Sequence, residues 1–256
     1  MSDAPLPYFS PPTPRVFAHR GLASGVPENT LAAFSHALNA GAGYLESDVR
    51  ATRDGVAVLA HDADLRRLTG RTDRISDLTA AELADTDLGG HRVPTLHEAL
   101  AAFPAARFNL DLKAADAVDA AIAAIREADA VDRVLVSSFD EQRRAGAVRA
   151  LPGIATSASS RIATRALAAL RAGLPRTAAR VLNGVHAVQV PETARGVRVV
   201  SPRTVAGFHS AGVEVHVWTV NAASAMRRLL EWGVDGIVTD RADVAVSVVR
   251  GTNLSH

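Results

Sequence analysis

Eight short runs with the character of β-strands recur along this chain, and helix-sized segments separate most of them. Alternating strands and helices indicate a parallel sheet, because two neighbouring parallel strands need a crossover long enough to form a helix. The runs span residues 16–19, 44–50, 107–113, 133–138, 154–158, 187–190, 214–220 and 236–239. Eight such units within 256 residues predict an α/β fold of the (β/α)8 TIM-barrel type. An open, doubly wound sheet is the alternative, since alternation alone does not show closure.

The composition excludes several kinds of site and partner. The chain has no cysteine, which rules out disulfides, cysteine-ligated zinc and a thiol nucleophile. Lys and Arg number 28 against 27 Asp and Glu, and no basic stripe stands out, which argues against nucleic acid as a partner. No apolar run of about 18 residues is present, so we expect no stable insertion into a membrane. The start has no secretory signal pattern, and a cytoplasmic protein is expected.

Two segments depart from the regular alternation. Residues 1–14 are rich in proline, and we expect them to be a flexible N-terminal extension. Residues 15–256 are expected to form a single domain. Within it, residues 62–93 are polar and charged, with a capping-box pattern that begins at Thr79. An excursion of this length often covers a site, so we expect a short insertion near the mouth of the barrel.

Two of the predicted strands carry carboxylates where a barrel strand should be apolar. Glu46 and Asp48 share one face of their run because side chains alternate along a strand, and Asp111 alternates with apolar neighbours in the next run. Three converging carboxylates favour a hard divalent cation, Mg²⁺ or Ca²⁺, which prefers oxygen ligands. The alternative is that these charges pair with Arg or Lys in a solvated barrel mouth, and for any one of them alone that explanation is favoured.

Two histidines accompany these carboxylates. His19 ends the first run, and His61 follows a short apolar run at residues 56–60. Two imidazoles can supply one general base and one general acid near neutral pH. Arg20 and Lys113 can neutralise phosphate oxygens. All of these residues fall at or near the C-terminal ends of predicted strands, where barrel enzymes place their active sites.

Ordered motifs extend this pattern over most of the chain, from about residue 16 to residue 243, and are weakest between about residues 114 and 202. Together they resemble the glycerophosphodiester phosphodiesterase family. The blocks are Ala18-His19-Arg20-Gly21, Pro27-Glu28-Asn29-Thr30, Glu46-Ser47-Asp48-Val49, Asp54-Gly55, His61-Asp62, Asn109-Leu110-Asp111-Leu112-Lys113, Trp218-Thr219-Val220-Asn221 and residues 233–240.

The resemblance implies a distorted (β/α)8 barrel that hydrolyses glycerophosphodiesters to glycerol 3-phosphate and an alcohol, a reaction of lipid metabolism. It implies that His19 and His61 are the acid–base pair. It also implies a metal site formed by Glu46, Asp48 and Asp111 for one divalent cation, Mg²⁺ or Ca²⁺. The expected partner is therefore a small-molecule glycerophosphodiester. The oligomeric state is left open.

The remaining implied roles concern the substrate. Arg20 and Lys113 would bind phosphate, and Trp218 would pack against the glycerol side, although a place in the barrel core is the alternative for this tryptophan. Residues 62–93 match the place where the family inserts a small substrate-covering segment. Position 111 is often Glu in the family and is Asp here. The shorter side chain predicts a closer backbone, a bridging water or a changed metal preference.

Two mechanisms and two other functions remain open from the sequence. A glycerol hydroxyl attacks phosphorus and forms a cyclic phosphate that water opens, or water attacks directly. A lysophospholipase D-like hydrolase of lysophospholipids would need an apolar groove or an exposed apolar lip. It ranks second, because the chain has few aromatic residues and no obvious interfacial helix. A catalytically silent barrel that only binds phosphate compounds is the third possibility, and the intact histidines and carboxylates argue against it.

Overall fold

The eight predicted strands form, together with three short ones, in the computed structural model, which describes residues 6–253. The strands are β1 (Arg15–His19), β2 (Tyr44–Ala51), β3 (Ala57–Leu59), β4 (Arg107–Leu112), β5 (Val134–Ser137), β6 (Ala155–Thr156), β7 (Ala187–Pro191), β8 (Thr193–Ala194), β9 (Val197–Arg198), β10 (Glu214–Trp218) and β11 (Gly236–Thr239). The helices are α1 (Leu31–Asn39), α2 (Arg66–Thr69), α3 (Ala80–Ala84), α4 (Leu96–Ala102), α5 (Asp116–Glu127), α6 (Glu141–Ala150), α7 (Ser160–Arg171), α8 (Pro175–Val181), α9 (Pro202–His209), α10 (Ala223–Glu231) and α11 (Ala242–Asn253).

Eight of the strands build a nearly closed parallel barrel. Their order is β6-β5-β4-β2-β1-β11-β10-β7, and each neighbouring pair in this path is parallel. The two ends of the path meet through a single parallel bridge between Ser157 and Ala187. The predicted (β/α)8 barrel is therefore confirmed, and the open sheet is not observed. Strand β3 pairs antiparallel with β2 outside this path.

Side-chain alternation on the strands separates an apolar layer from a polar cavity. On β4, Phe108, Leu110 and Leu112 are buried in the core between barrel and helices. Asn109 and Asp111, on the opposite face of the strand, line a cavity at the C-terminal end of the barrel. Burial of the apolar face drives the packing of the helices, because removing that surface from water is the main favourable contribution to folding. The polar face is thereby directed to the barrel mouth.

The described part of the N-terminal segment packs against the opposite end of the barrel. A 3-10 turn at Pro7–Phe9 buries the Tyr8 ring to 1% exposure, beside Phe17 and Tyr44. The Arg15 guanidinium donates to the Phe9 carbonyl oxygen at 3.0 Å and to the Tyr44 hydroxyl at 2.7 Å. The proline content predicted a flexible extension. The described part of the segment is instead held by packing and hydrogen bonds with residues of the barrel. Residues 1–5 lie outside the described part, and the domain boundary at residue 15 stays a prediction.

The segment of residues 62–93 has a small core of its own. Leu65, Ile75 and Leu83 are buried together with Val58 of β3. Thr79 and Glu82 form the predicted capping box at the start of α3. The segment is therefore anchored to the barrel through β3. Within residues 6–253, no helix is both long enough and apolar enough to cross a bilayer.

Candidate active site

One cavity of about 900 Å³ opens at the C-terminal end of the barrel and contains every predicted site residue. The sheet register explains why these residues meet. His19 of β1 lies beside Glu46 of β2, and Asp48 of β2 lies beside Asp111 of β4. The predicted residues that line the cavity are His19, Arg20, Glu46, Asp48, His61, Asp111, Lys113 and Trp218. This location agrees with the general placement of active sites in such barrels.

Asp48 is the most thoroughly neutralised carboxylate of the site. The Lys113 ammonium lies 2.7 Å from Asp48 Oδ1, and Arg20 Nε lies 3.1 Å from Asp48 Oδ2. Asn29 donates from Nδ2 to the same Oδ2 atom at 3.2 Å. Burial raises the pKa of Asp48, but the charges of Lys113 and Arg20 outweigh it and hold that pKa below its usual value. Asp48 is therefore an ionised group at neutral pH.

Glu46 and Asp111 are less well compensated. Burial, and next the charge of Asp48, raise the pKa of Glu46 to about 7. Burial also raises the pKa of Asp111, although Lys113 donates to its Oδ2 at 2.6 Å. Asp111 Oδ1 is buried without a hydrogen-bond partner. Among residues 6–253, no three acidic or histidine side chains are grouped as a metal centre, and the Lys113 ammonium bridges Asp48 and Asp111.

His19 is held by a carboxylate at the end of the last barrel strand. Its Nδ1 lies 2.6 Å from Asp240 Oδ1, and its Nε2 lies 4.0 Å from Glu46 Oε2. Asn221 donates from Nδ2 to Asp240 Oδ2 at 2.7 Å and fixes that carboxylate. Burial lowers the pKa of His19, but the hydrogen bond with Asp240 and the charge of Glu46 outweigh it and raise that pKa. An ionised Asp240 accepts a hydrogen bond from the Nδ1–H group, which leaves Nε2 as the reactive nitrogen on the side of the cavity.

His61 has a similar arrangement beside β3, which pairs with the same edge of β2 as β1 does. Its Nδ1 lies 2.8 Å from Asp62 Oδ1, and Arg67 of α2 donates to Asp62 Oδ2 at 2.5 Å. The Arg67 guanidinium also donates to Glu28 at 2.6 Å, and Glu28 in turn accepts from Arg20 at 3.0 Å. The 62–93 segment therefore contributes a cation that links the surroundings of His61 to those of Arg20.

Trp218 lies at the edge of the cavity and contacts Phe139. The two ring centroids are 6.0 Å apart, and the rings meet edge to face at an angle of 65°. Trp218 is half-buried rather than part of the closed core. Its indole is therefore accessible to a molecule in the cavity.

The sequence did not assign roles to the residues that position the two imidazoles. Asp240 and Asn221 belong to the resembling motifs, but their contact with His19 joins residues far apart in the chain. One feature of the sequence could have predicted this contact: Asp240 comes directly after a strand, at the same edge of the sheet as His19. Asp62 follows His61 directly, so its contact with His61 could have been predicted from the local sequence. Nothing in the sequence indicated the role of Arg67.

A nearly closed parallel barrel with imidazole, carboxylate and cationic side chains in one cavity at its carboxyl end defines a TIM-barrel enzyme. A family model described as the glycerophosphoryl diester phosphodiesterase family matches residues 19–244. The chain belongs to this family and is thus a phosphoric diester hydrolase.

Individual relatives agree with this assignment over nearly the whole chain. A protein of Mycobacterium tuberculosis named probable glycerophosphodiester phosphodiesterase 2 is 41% identical, over 91% of this chain and 90% of its own length. The crystal structure of a protein from Silicibacter pomeroyi described as a glycerophosphoryl diester phosphodiesterase has a TM-score of 0.82 at 26% identity, and covers 97% of this chain and 99% of its own. A phosphodiesterase of Oleispira antarctica, solved with the product sn-glycerol-3-phosphate, has a TM-score of 0.78 at 25% identity, with 93% and 97% covered.

Proposed function

We propose that this enzyme hydrolyses glycerophosphodiesters to glycerol 3-phosphate and an alcohol, with His19 and His61 as its acid–base pair and a divalent cation as cofactor. The observation that carries the proposal is the pairing of each imidazole with its own carboxylate in one cavity. His19 comes from β1 and His61 follows β3, and both strands pair with the carboxylate-bearing β2. The location in the cytoplasm and the role in lipid metabolism stay predictions.

The chemistry of the carboxylates supports a cation held by Glu46, Asp48 and Asp111. All of their donor atoms are oxygens, which suit Mg²⁺ or Ca²⁺. The buried Oδ1 of Asp111 has no hydrogen-bond partner although Lys113 neutralises Oδ2, and the pKa of Glu46 is raised to about 7 by burial and by Asp48, so one oxygen of Asp111 and the Glu46 carboxyl group are open to a further positive charge. When bound, such a cation supplies positive charge that stabilises a negatively charged phosphoryl group.

Arg20 and Lys113 are the proposed phosphate-binding residues. In the structure they neutralise Asp48 and Asp111. The burial of Lys113 lowers its pKa, but the two aspartates outweigh this effect and raise it, so its ammonium keeps the proton at neutral pH. Both groups therefore bring permanent positive charge to the place where a phosphodiester lies, and Arg20 offers a planar, two-pronged donor.

The two imidazoles divide the proton transfers between them. Each ring uses Nδ1 for its carboxylate, which directs Nε2 towards the substrate. One histidine removes a proton from the attacking oxygen, and the other protonates the leaving alcohol. The attacking oxygen is a neighbouring glycerol hydroxyl in the cyclic-phosphate route, or water in the direct route. Both routes need the same two protonation states at the start of the reaction. One imidazole is neutral and accepts a proton, and the other is charged and donates one. Trp218 packs against the glycerol.

The test is hydrolysis of glycerophosphocholine by the purified protein, followed as release of choline and glycerol 3-phosphate. We expect turnover with Mg²⁺ or Ca²⁺ and its loss with a chelator. His19→Ala and His61→Ala are each expected to lower turnover by about 10²-fold or more, because each removes a proton-transfer group. His97→Ala is the matched control, since His97 lies outside the cavity on α4.

Three results would contradict the proposal. Full turnover in the chelator would remove the cation from the reaction. Near-normal activity of His19→Ala or His61→Ala would remove that residue from the pair. A failure to hydrolyse glycerophosphodiesters with any of several head groups would favour the catalytically silent barrel.

A further inference from the structure

Positive charge is concentrated in one part of the chain, although the totals nearly balance. Residues 142–213 contain 11 arginines, no lysine and a single carboxylate, Glu192. The rest of the chain therefore has 17 of the 28 basic side chains and 26 of the 27 acidic ones. The arginines are spaced apart along the sequence, so they form no continuous basic run, and only the fold brings them together.

Eight of these arginines have exposed side chains on neighbouring elements. Helix α7 packs against α8 and α9, and the Arg171 guanidinium donates to the carbonyl oxygen of Arg198 in the hairpin of β8 and β9. The four elements therefore form one continuous part of the surface, which we name the arginine face. Its members are Arg161, Arg165 and Arg171 of α7, Arg176 and Arg180 of α8, Arg195 and Arg198 of the hairpin, and Arg203 of α9.

The charge of the arginine face has no carboxylate partner in the described part of the chain. Glu192 lies 2.7 Å from Arg228 of α10, and Glu141, just before the segment, lies 2.6 Å from Arg144. The nearest carboxylates in sequence are thus paired with other arginines. None of the eight arginines of the face forms an ion pair among residues 6–253.

The spacing of the arginines within the helices adds repulsion. Arg161 and Arg165 are four residues apart on α7, and Arg176 and Arg180 are four residues apart on α8. Side chains at this spacing are neighbours on a helix surface, and like charges there destabilise the helix. Such an arrangement is stabilised when an anionic partner lies against it.

The three exposed large hydrophobic side chains of the described residues lie on or beside the arginine face. Leu174 is 52% exposed in the turn between α7 and α8, and Val197 is 50% exposed in the hairpin. Phe139, which is 61% exposed, lines the cavity together with α7 and the hairpin. Apolar side chains exposed among cationic ones are typical of surfaces that enter the head-group region of a bilayer.

The arginine face borders the cavity at the carboxyl end of the barrel. Thr164 and Leu167 of α7 line that cavity, and so do Arg195 and Val197 of the hairpin. The same two elements carry exposed arginines on their outer sides. A surface that lies against the arginine face is therefore next to the opening of the cavity.

We propose that the arginine face docks the protein on the surface of an anionic lipid bilayer, with the exposed apolar side chains among the lipid head groups. Basic side chains are attracted to an anionic membrane, and arginine binds phosphate with a planar, two-pronged donor. Nucleic acid offers the same phosphate chemistry but leaves Leu174 and Val197 in water, whereas a bilayer accommodates both. The docking goes beyond the proposed hydrolysis and does not depend on it.

Co-sedimentation of the purified protein with vesicles measures the docking. Vesicles of phosphatidylcholine alone are compared with vesicles that also contain phosphatidylglycerol, at low and at high concentrations of sodium chloride. We expect the partition coefficient to be at least about 25-fold larger for the anionic vesicles, because each arginine near an anionic surface contributes roughly fivefold. This difference is expected to shrink at high salt, which screens the charges.

A double variant tests the arginines. Arg165→Gln combined with Arg176→Gln removes one exposed charge from α7 and one from α8, and is expected to lower the partition to anionic vesicles about 25-fold. Arg74→Gln combined with Arg250→Gln is the matched control. Both control arginines are exposed, and Arg250 ends α11, which packs against β1, far from β6 and β7 in the barrel. None of the four lines the cavity, so turnover of dissolved glycerophosphocholine is expected to stay unchanged.

A second variant distinguishes a bilayer from nucleic acid. Leu174→Ser removes a half-exposed apolar side chain and is expected to lower the partition to anionic vesicles about fivefold, because the leucine no longer enters the head-group region. Ala172→Ser is its control, since Ala172 is exposed in the same turn and has little apolar surface to insert. Binding to a DNA duplex in the same buffers is measured by fluorescence anisotropy, and is expected to be weaker than binding to the anionic vesicles.

Each outcome supports or overturns the docking. Salt-sensitive binding to anionic vesicles that falls in the arginine double variant and in Leu174→Ser, and persists in both controls, supports it. Equal binding to the two kinds of vesicle, or an equal loss in the control variants, overturns it. Binding that depends on the arginines but not on Leu174, or that is tighter to DNA than to vesicles, assigns the face to another polyanion and also overturns the bilayer as its partner.

Discussion

At the scale of single residues, the site is organised by carboxylates that hold other side chains. Asp240 and Asp62 each occupy Nδ1 of a histidine, so the two rings present their second nitrogens to the cavity. Neither aspartate needs to contact the substrate to affect the reaction. Orientation of a proton-transfer group is itself a large part of its effect, because a misplaced ring transfers its proton poorly.

Asp240→Asn tests this positioning role. An amide in place of the carboxylate can donate to Nδ1, which favours the wrong tautomer of His19, and it no longer stabilises the charged ring. We expect kcat to fall by roughly 10²-fold with little change in KM, because the substrate contacts remain. Steady-state kinetics with glycerophosphocholine provide the measurement. Asp243→Asn is the control, because Asp243 forms an exposed ion pair with Arg241. Equal kinetics in the two variants would argue against a positioning role for Asp240.

At the scale of elements, the segment of residues 62–93 is more than a cover. Its helix α2 carries Arg67, whose guanidinium joins Asp62 beside His61 to Glu28 beside Arg20. The charges of Arg67 and Arg20 outweigh the burial that raises the pKa of Glu28 and keep that pKa below its usual value. One short helix thus connects the surroundings of a catalytic imidazole with those of a phosphate-binding group.

Arg67→Ala is expected to lower kcat roughly tenfold, because Asp62 loses its partner and His61 its fixed orientation. Thermal stability should change little, since half-exposed ion pairs contribute about 1 kcal/mol or less. Kinetics and a melting curve measure the two effects. Arg71→Ala removes a comparable pair with Asp73 in the same segment, outside the cavity. If the two variants have the same activity, α2 does not act on the site.

The elements show where sequence-based prediction succeeds and where it stops. Apolar patterning located all eight barrel strands, and alternation within β2 and β4 identified which side chains face the cavity. The ends were less accurate: the run predicted at residues 154–158 is only Ala155–Thr156 as a strand. Strand ends depend on hydrogen bonds to neighbouring strands, which a local pattern does not contain.

Contacts between distant parts of the chain were the other gap. His19 meets Asp240 across 221 residues, and Arg15 meets Glu214 across 199. The first contact organises the site, and the second fastens the N-terminal segment that its prolines suggested to be flexible. Both arise because the first barrel strand lies beside the last ones, so they follow from closure of the barrel rather than from any local motif.

At the scale of the whole molecule, the two ends of the barrel hold charge for different purposes. At the carboxyl end, Glu46 and Asp111 are only partly compensated by positive charge and hydrogen bonds. The amino end pairs its charges closely: Arg15 donates to both oxygens of Glu214, at 2.9 and 2.7 Å, and His216 adds a contact at 3.0 Å. A buried ion pair with complete hydrogen bonding is strongly destabilised by loss of one partner. The amino end is therefore the place where charge contributes to stability.

The stability of the protein should consequently depend on the protonation of Glu214. Burial raises the pKa of Glu214, but the hydrogen bonds from Arg15 and His216 outweigh it and bring that pKa from 4.5 to about 2. A carboxyl group whose pKa is lower in the folded state stabilises fully above its unfolded value, and this contribution is lost as the pH falls from about 4.5 towards about 2. At neutral pH it amounts to about 3 kcal/mol by the shift in pKa.

Glu214→Gln is therefore expected to lower the free energy of unfolding by about 3 kcal/mol at pH 7, and by roughly half as much at pH 3. Urea denaturation of both proteins at the two pH values measures the difference. Glu98→Gln is the control, because the pKa of Glu98 is also lowered to about 2 by its bonds with Arg92 and Thr95, but this side chain is more exposed and its charge is screened by water. A loss that is the same at pH 7 and pH 3, or that is as large for Glu98→Gln, would show that the amino end of the barrel does not stabilise the fold through this charge.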